Sequence, residues 1–253
     1  MKVHDLLFVA ILSLGVAVHT QLVKGQPRPG CPTRCGNVII EYPFGISEGC
    51  YYPGDRDAFE LTCKDEKLRF FAGHEVISIF HSGQLRIMFP VAYSCYDVNG
   101  NFEGNSLPIL ATRRFTLSSN NSYIGVGCST YALLRHHGKQ RNYTFGCISL
   151  CDVVPPDGEC SGEGCCQMPV PRKALEFKLY PRSIDNQTSV HSFNPCAFAF
   201  LVENGKFNFS ASKDLKDLRN VKEFPVLLDW SIGEQTCDQV GKKELVRWDQ
   251  HMY

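Results

Sequence analysis

Thirteen cysteines in 253 residues are the feature that most constrains how this chain can fold. Reducing compartments keep thiols free, so a cysteine content this high favours an oxidising compartment and a disulfide framework. An odd number leaves at least one cysteine free or bonded to another chain, and spacing alone does not give the connectivity. The cysteines are Cys31, Cys35, Cys50, Cys63, Cys95, Cys128, Cys147, Cys151, Cys160, Cys165, Cys166, Cys196 and Cys237.

Zinc is the alternative use of such cysteines. Cys31 with Cys35, and Cys147 with Cys151, are each separated by three residues, which is within the range of zinc ligands. Neither pair is followed by a second pair at finger-like spacing, so we favour disulfides. Cys165 and Cys166 are neighbours that cannot easily bond each other without strain, and we expect each to join a different element.

The N-terminus indicates secretion. The apolar run from Leu6 to Val18 follows Lys2 and is too short to span a bilayer, which takes about 20 apolar residues. We therefore interpret residues 1–25 as a signal peptide and expect a secreted, extracellular chain without a membrane span of its own. Glycosylation is predicted at the four Asn-x-Ser/Thr acceptors, Asn120, Asn142, Asn186 and Asn208.

Short β-like runs separated by turn residues fill the rest of the chain, and they predict an all-β fold with one short helix. The helix is expected over Ser212–Asn220. Hairpins are predicted at Ser82-Gly83, around residues 118–122 and 135–142, and at Asn204-Gly205. The Pro/Gly-rich stretch after Leu150 divides the prediction into a cysteine-rich β domain at 26–150, a second cysteine-rich β region at 151–237 and a polar tail at 238–253.

Charge is balanced overall but unevenly spread. Residues 105–150 hold five basic residues, two histidines and no Asp or Glu, which predicts that an anionic partner binds there. A solvated hairpin tip is the alternative interpretation, and the Asn142 acceptor would crowd a site. The candidate ligand-binding residues are Arg113, Arg114, Arg135, His136, Lys139 and Arg141, with Tyr131 and Tyr143 as flat faces for sugar rings.

Catalytic motifs are weak. "GISEG" at 45–49 has the spacing of a nucleophile elbow around Ser47, but Pro53 and Gly54 exclude the helix that such an elbow needs, so a turn is expected. No pair of carboxylates, metal motif, phosphate loop or dinucleotide motif stands out. We expect a protein that is not an enzyme and that uses no cofactor, no metal and no nucleic acid.

The stretch "CPTRCGNVIIEYPFGISEGC", followed by "FELTC", resembles the galacturonan-binding module of plant wall-associated receptor kinases. The segments "GCCQMPVPRKALEFKLY", "CAFAFLVENGKFNFS" and "PVLLDWSIGEQTC" resemble the rest of that ectodomain. The resemblance implies a protein of the plant cell wall or apoplast that binds pectin, especially de-esterified homogalacturonan and its oligogalacturonides. Binding is expected to weaken with added salt.

Family members continue into further cysteines, EGF-like modules, a membrane helix and a kinase, whereas this chain ends in "DQVGKKELVRWDQHMY". Cys237 is therefore expected to be the unpaired thiol, with its usual partner lost. The alternative function is a kinase-less interaction protein that joins a full-length receptor kinase and is held at the membrane through it.

Overall fold

The computed structural model describes residues 27–70, 73–80, 82–111, 114–137, 142–171 and 176–232. Strands dominate these residues, which confirms the predicted all-β, disulfide-rich class. The described helices are α1 (Arg56–Phe59), α2 (Ala211–Asp217) and a 3-10 turn at Leu218–Asn220. None of them is long and apolar enough to cross a membrane.

Within the described residues, eighteen strands form one hairpin and three sheets, and every pair of these strands is antiparallel. The hairpin is β1 (Arg34–Cys35) with β2 (Val38–Ile39). The first sheet has the order β10 (Phe115–Leu117), β18 (Glu223–Trp230), β6 (Gln84–Pro90), β5 (His74–Phe80), β4 (Lys67–Phe70), β3 (Thr62–Lys64). The second has the order β14 (Ser161–Glu163), β15 (Cys165–Pro169), β11 (Asn121–Val126), β17 (Cys196–Glu203), β7 (Ala92–Tyr96), β8 (Phe102–Ser106). The third, four-stranded sheet has the order β13 (Asn142–Ser149), β12 (Thr130–His137), β16 (Glu176–Ser183), β9 (Ile109–Ala111).

The sheets continue across the predicted division at residues 150 and 151. In the first sheet β18 pairs with β6 over seven residues, and in the second β17 pairs with both β7 and β11. In the third, β16 lies between β12 and β9. Strands from early and late in the chain therefore complete each other's sheets.

Two apolar cores lie on opposite sides of β11 and β17, and both strands are buried throughout almost all of their length. Tyr123 and Leu201 belong to the larger core, shared with the first and third sheets. Ile124 and Phe200 point the other way into the smaller core, which α2 covers with Leu215. Because alternate residues of a strand face opposite sides, a continuous apolar run is what a strand between two cores requires.

Six disulfides pair the twelve cysteines that lie within the described residues. The pairs are Cys31–Cys50, Cys35–Cys63, Cys95–Cys196, Cys128–Cys151, Cys147–Cys166 and Cys160–Cys165. Because Cys31, Cys35, Cys147 and Cys151 are all bonded in disulfides, their thiolates are not free to bind zinc, as the alternative would require. Cys237 lies outside the described residues.

Local turn signals gave mixed results. The Ser82-Gly83 turn joins β5 to β6, and β12 pairs with β13 as predicted. The hairpin predicted around residues 118–122 was wrong, because β10 pairs with β18 while β11 joins the second sheet. A turn forms at Asn204-Gly205, but no strand follows it, since β17 already has a neighbour on each side.

The predicted helix begins earlier and is shorter than expected. The α-helical part is Ala211–Asp217, and Asp157 from a distant loop accepts hydrogen bonds from Ser210 Oγ at 3.1 Å and from the backbone N–H of Ala211 at 2.7 Å. A carboxylate at this end satisfies N–H groups that a helix leaves free. The helix start therefore depends on a long-range contact that the local sequence does not contain.

Candidate functional site

One face of the four-stranded sheet is partly open to solvent, and alternation places the same kinds of residue on it along two neighbouring strands. In β16, Phe177 and Leu179 are buried, while Lys178, Tyr180 and Arg182 point outwards. In β12 the outward residues are Tyr131, Leu133 and Arg135. The register aligns them in rows: Tyr131 with Arg182, Leu133 with Tyr180, and Arg135 with Lys178. We call this set of six residues the Tyr180 face.

Three cations surround the ring of Tyr180. The guanidinium carbons of Arg135 and Arg182 lie 4.2 and 4.3 Å from the ring centre, and the Lys178 ammonium lies 5.9 Å from it. Arg182 Nη2 also donates a hydrogen bond to the Tyr180 hydroxyl at 2.5 Å. This bond lowers the pKa of Tyr180 from its ordinary value, and the positive charges nearby lower it further. The ring thus fixes the three cations in one group.

The cations of the Tyr180 face have no described carboxylate within ion-pair distance. Four cations elsewhere in the described residues do have such a partner: Arg56 with Glu60, Lys67 with Glu75, Arg86 with Glu203 and Arg114 with Asp55. Within the strands of the four-stranded sheet, Glu176 is the one acidic residue that the structure describes. The face therefore carries a net positive charge that is available to an anionic ligand.

The middle of the face is flat. Gly146 of β13 stands opposite Leu133, and a Cβ at this position would lie 2.1 Å from Ala132 O and 2.8 Å from Leu133 Cδ2. The sheet has no room for a side chain there. Thr144 and Ile148 on either side are exposed. A flat surface next to an aromatic ring and forked cations can hold an extended, carboxylate-bearing polymer.

Two of the eight candidate residues from the sequence, Arg135 and Tyr131, lie on this face. His136 does not: its side chain is 6% exposed, and its Nδ1 lies 2.8 Å from Glu176 O. Consecutive residues of a strand point to opposite sides, so Arg135 and His136 cannot share a surface. Arg114 is also elsewhere, because its Nε donates to Asp55 Oδ2 at 2.6 Å near the start of α1. Arg113, Lys139, Arg141 and the Tyr143 side chain lie outside the described residues.

The sequence reasoning missed Lys178, Tyr180 and Arg182. Their spacing in "EFKLYPRS" alternates polar with apolar residues, which is the signal of a half-buried strand. Pro181 obscured that signal, since proline is normally excluded from paired strands. In the structure, β9 reaches only Glu176–Lys178, so Pro181 lies where β16 has a neighbour on one side only.

The other motifs have structural positions. Ser47 lies in a turn closed by a hydrogen bond from Cys50 N to Ser47 O at 2.9 Å, and no helix follows it. Asn120, Asn186 and Asn208 are exposed, whereas the side chain of Asn142 lies outside the described residues. No group of three or more His, Cys, Asp or Glu side chains in the described residues is arranged to hold a metal ion.

Residues 31–89 match the family model described as wall-associated receptor kinase galacturonan-binding. Along 95% of its length the chain is 51% identical to wall-associated receptor kinase 2 and to wall-associated receptor kinase 5 of Arabidopsis thaliana. It is 47% identical to wall-associated receptor kinase 1 of the same plant over 97% of its length. The chain covers about a third of these relatives, 32 to 34% of their length. No solved structure has significant similarity to it.

Proposed function

Since this chain is a relative of the wall-associated receptor kinases that matches an ectodomain-sized part of them, we propose that it is a non-catalytic binder of galacturonan-type pectin. The observation that carries the proposal is the Tyr180 face, where three cations without a described carboxylate partner surround one half-buried aromatic ring. The family match supports the class of ligand. The face supplies the chemistry that recognises it.

The proposed binding mode uses each group of the face. Galacturonate units of homogalacturonan or its oligomers present carboxylates, which the guanidinium groups of Arg135 and Arg182 can bind through two parallel hydrogen bonds. Lys178 adds a point charge. The rings of Tyr180 and Tyr131 offer apolar area beneath the sugars, with a hydroxyl at the edge.

The matched module at residues 31–89 lies on the other side of the same sheet. Phe89 of β6 packs edge-on against Phe177 of β16, with ring centres 5.7 Å apart. Three of the module's described cations, Arg56, Lys67 and Arg86, are paired with carboxylates. Because the Tyr180 face instead clusters three cations around one ring, we assign the first contact with the polymer to that face, which the module supports from behind.

The test compares two triple variants with the same change in charge. Removing an exposed ion pair costs about 1 kcal/mol, or about 5-fold in Kd, so Arg135→Gln with Lys178→Gln and Arg182→Gln should weaken binding to polygalacturonate about 100-fold. The control variant, Arg56→Gln with Lys64→Gln and Lys67→Gln, removes three cations from the module and should change Kd less than 3-fold. Binding of both is measured by calorimetry on the secreted chain.

The controls separate the location of the site from the identity of the ligand. Native binding should fall as salt rises from 0.05 to 0.5 M, because charges beyond about 10 Å are screened at 0.1 M. If only the module variant lost binding, the site would lie on the module, and the assignment of the ligand would still stand. Equal binding to neutral glucan, or no response to salt, would reject the proposed function itself.

We also propose that the protein is secreted and faces the cell wall. The matched relatives are receptor kinases, and the matched part of them is ectodomain-sized. The alternative, a partner for a full-length receptor kinase, stays a prediction because Cys237 lies outside the described residues. The two roles are compatible, since a partner bound through another surface would leave the Tyr180 face open.

A further inference from the structure

A surface cavity of about 340 Å³ lies at the junction of the first and second sheets, away from the Tyr180 face. Phe80, Gln84, Arg86, Asn120, Glu203 and Asn204 line it. Its volume is within the range of sites that hold small molecules, about 300 to 1,000 Å³. Its lining combines one aromatic ring with three amide side chains, which is the chemistry that a sugar ring with hydroxyl and amide substituents requires.

The charges in this cavity already neutralise each other. Arg86 donates from Nε and Nη2 to the two carboxylate oxygens of Glu203 at 2.7 and 2.6 Å, and from Nη1 to Ser78 Oγ at 3.3 Å. Its guanidinium carbon also lies 5.0 Å from the centre of the Phe80 ring. An acidic sugar would have to displace Glu203 from a two-bond, partly buried pair. The cavity is therefore suited to a neutral ligand and differs in this from the Tyr180 face.

Asn120 is held at the rim of the cavity. The backbone N–H of Asn204 donates to Asn120 O at 2.9 Å, and Asn120 N donates to Ser118 Oγ at 3.4 Å. Asn120 is also the acceptor of a glycosylation sequon whose third residue, Ser122, donates to Asn204 Oδ1 at 2.7 Å. The same loop thus fixes the acceptor asparagine and a polar wall of the cavity.

We propose that the first sugar of an N-linked glycan on Asn120 lies in this cavity, with a face on Phe80 and its polar substituents near Gln84, Glu203 and Asn204. Attachment joins Asn120 Nδ2 to the sugar C1; Nδ2 loses a proton, and the lipid diphosphate of the donor leaves. The secretory pathway's transferase carries out this step. Because Ser122 is only 7% exposed in the folded chain, the transfer precedes folding of β11.

The full chain is tested after secretion from eukaryotic cells, and peptide mass spectrometry first measures occupancy of each sequon. The folded protein is then treated with an amidase that cuts between Asn Nδ2 and the first sugar. All three of these acceptors are exposed in the folded chain, but release from Asn120 should be at least about 10-fold slower than release from Asn186 and Asn208, because the cavity holds its first sugar. After denaturation and reduction, the three rates should agree within about 2-fold.

Phe80→Ala should raise the native rate at Asn120 to within about 2-fold of the other two sites, while the rates at Asn186 and Asn208 stay unchanged and report that the variant is folded. The exposed Phe102, replaced by Ala, is the matched control and should change no rate. An unoccupied Asn120, or equal native rates in the unaltered protein, would overturn the proposal. The proposal would also be overturned if the glycosylated protein bound free N-acetylglucosamine and the Phe80→Ala variant did not. In that case the cavity would be a site for a free sugar.

Discussion

Removing the small, buried side chain of Asn194 should lower the free energy of unfolding strongly. It is fully buried and makes four hydrogen bonds. Its Oδ1 accepts from Cys128 N at 2.6 Å and from Gln187 Nε2 at 3.4 Å, and its Nδ2 donates to Cys196 O at 2.8 Å and Leu215 O at 2.9 Å. One amide therefore connects the end of β11, the start of β17 and the end of α2.

Asn194→Ala removes these bonds, so the main-chain N–H of Cys128 and the main-chain carbonyls of Cys196 and Leu215 lose this hydrogen-bond partner. Each such group costs about 1 to 3 kcal/mol when unsatisfied, which gives about 3 to 9 kcal/mol in total. Entry of water into the vacated space would satisfy part of them, so we expect a loss of about 4 kcal/mol. Against a typical stability of about 5 to 15 kcal/mol, this is a large fraction.

Asn194→Asp is the matched variant, since it keeps the shape and the acceptor for Cys128 N but replaces the two donated hydrogens with a second oxygen. At pH 7 the introduced carboxylate faces two carbonyl oxygens. Burial favours its protonated form in the folded state, so stability should be highest below about pH 4 and should fall as the pH rises through the raised folded pKa.

Both variants are measured by urea unfolding with the disulfides intact, followed by circular dichroism. Unfolding free energies are taken at pH 3.5 and pH 7 from the midpoint and slope. A loss below 1 kcal/mol for Asn194→Ala, at an unchanged slope, would refute the assignment of these bonds. A variant carrying Asp at this site that is equally stable at the two pH values would refute the account of its donors.

Three further predictions concern the Tyr180 face, the buried Asp214 in the first turn of α2, and the disulfides. Tyr180→Phe keeps the ring but loses the hydroxyl that Arg182 binds, so the Kd for polygalacturonate should rise about 2- to 5-fold in calorimetry, with the melting temperature unchanged. Burial raises the pKa of Asp214, so the folded chain holds this proton to higher pH than the unfolded chain, and the residue's contribution to stability falls as the pH rises. Asp214→Asn should therefore stabilise the protein more at pH 7 than at pH 3. Equal gains at the two pH values in urea unfolding would contradict this. The Cys95–Cys196 disulfide closes a separation of 101 residues, and the Cys160–Cys165 disulfide closes one of 5. Replacing both cysteines by Ala should therefore lower the free energy of unfolding by about 4.7 kcal/mol for the first pair and by about 2 kcal/mol for the second. The reverse order in urea unfolding would show that chain entropy does not dominate.

Sequence predicted those parts of the fold that neighbouring residues decide. The β5–β6 and β12–β13 hairpins have their turn signals between the two strands, and both formed. The partners of β10 and β17 could not be read in this way, because each pairs with strands distant in sequence. At Asn204-Gly205 a turn formed, but only Gly205 has a positive φ, so it is not the type I′ turn that the Asn-Gly pair predicts. No hairpin follows it, because a strand with two neighbours cannot accept a third.

The same limit applied to the candidate site. A basic run in the sequence drew attention to Arg135, but it could not show that the neighbouring strand would bring Tyr180 and two further cations to the same surface. His136 was chosen as a member of the basic run 135–141, although strand geometry turns it inwards. In a β protein the members of a charged surface are two residues apart along a strand and far apart in the chain.

The pairing of β6 with β18 also sets an order for folding. Pro90 at the end of β6 faces Glu223, 133 residues later, so the edge of β6 stays open while that length is synthesised. At about 5 to 20 residues per second this takes roughly 7 to 27 s. During that interval Ile87 and Phe89, both completely buried in the finished protein, lie beside an unpaired strand edge, and such an edge favours aggregation. A fragment that stops before Glu223 would leave this edge unpaired permanently, so a fragment built around the matched residues 31–89 should retain β18.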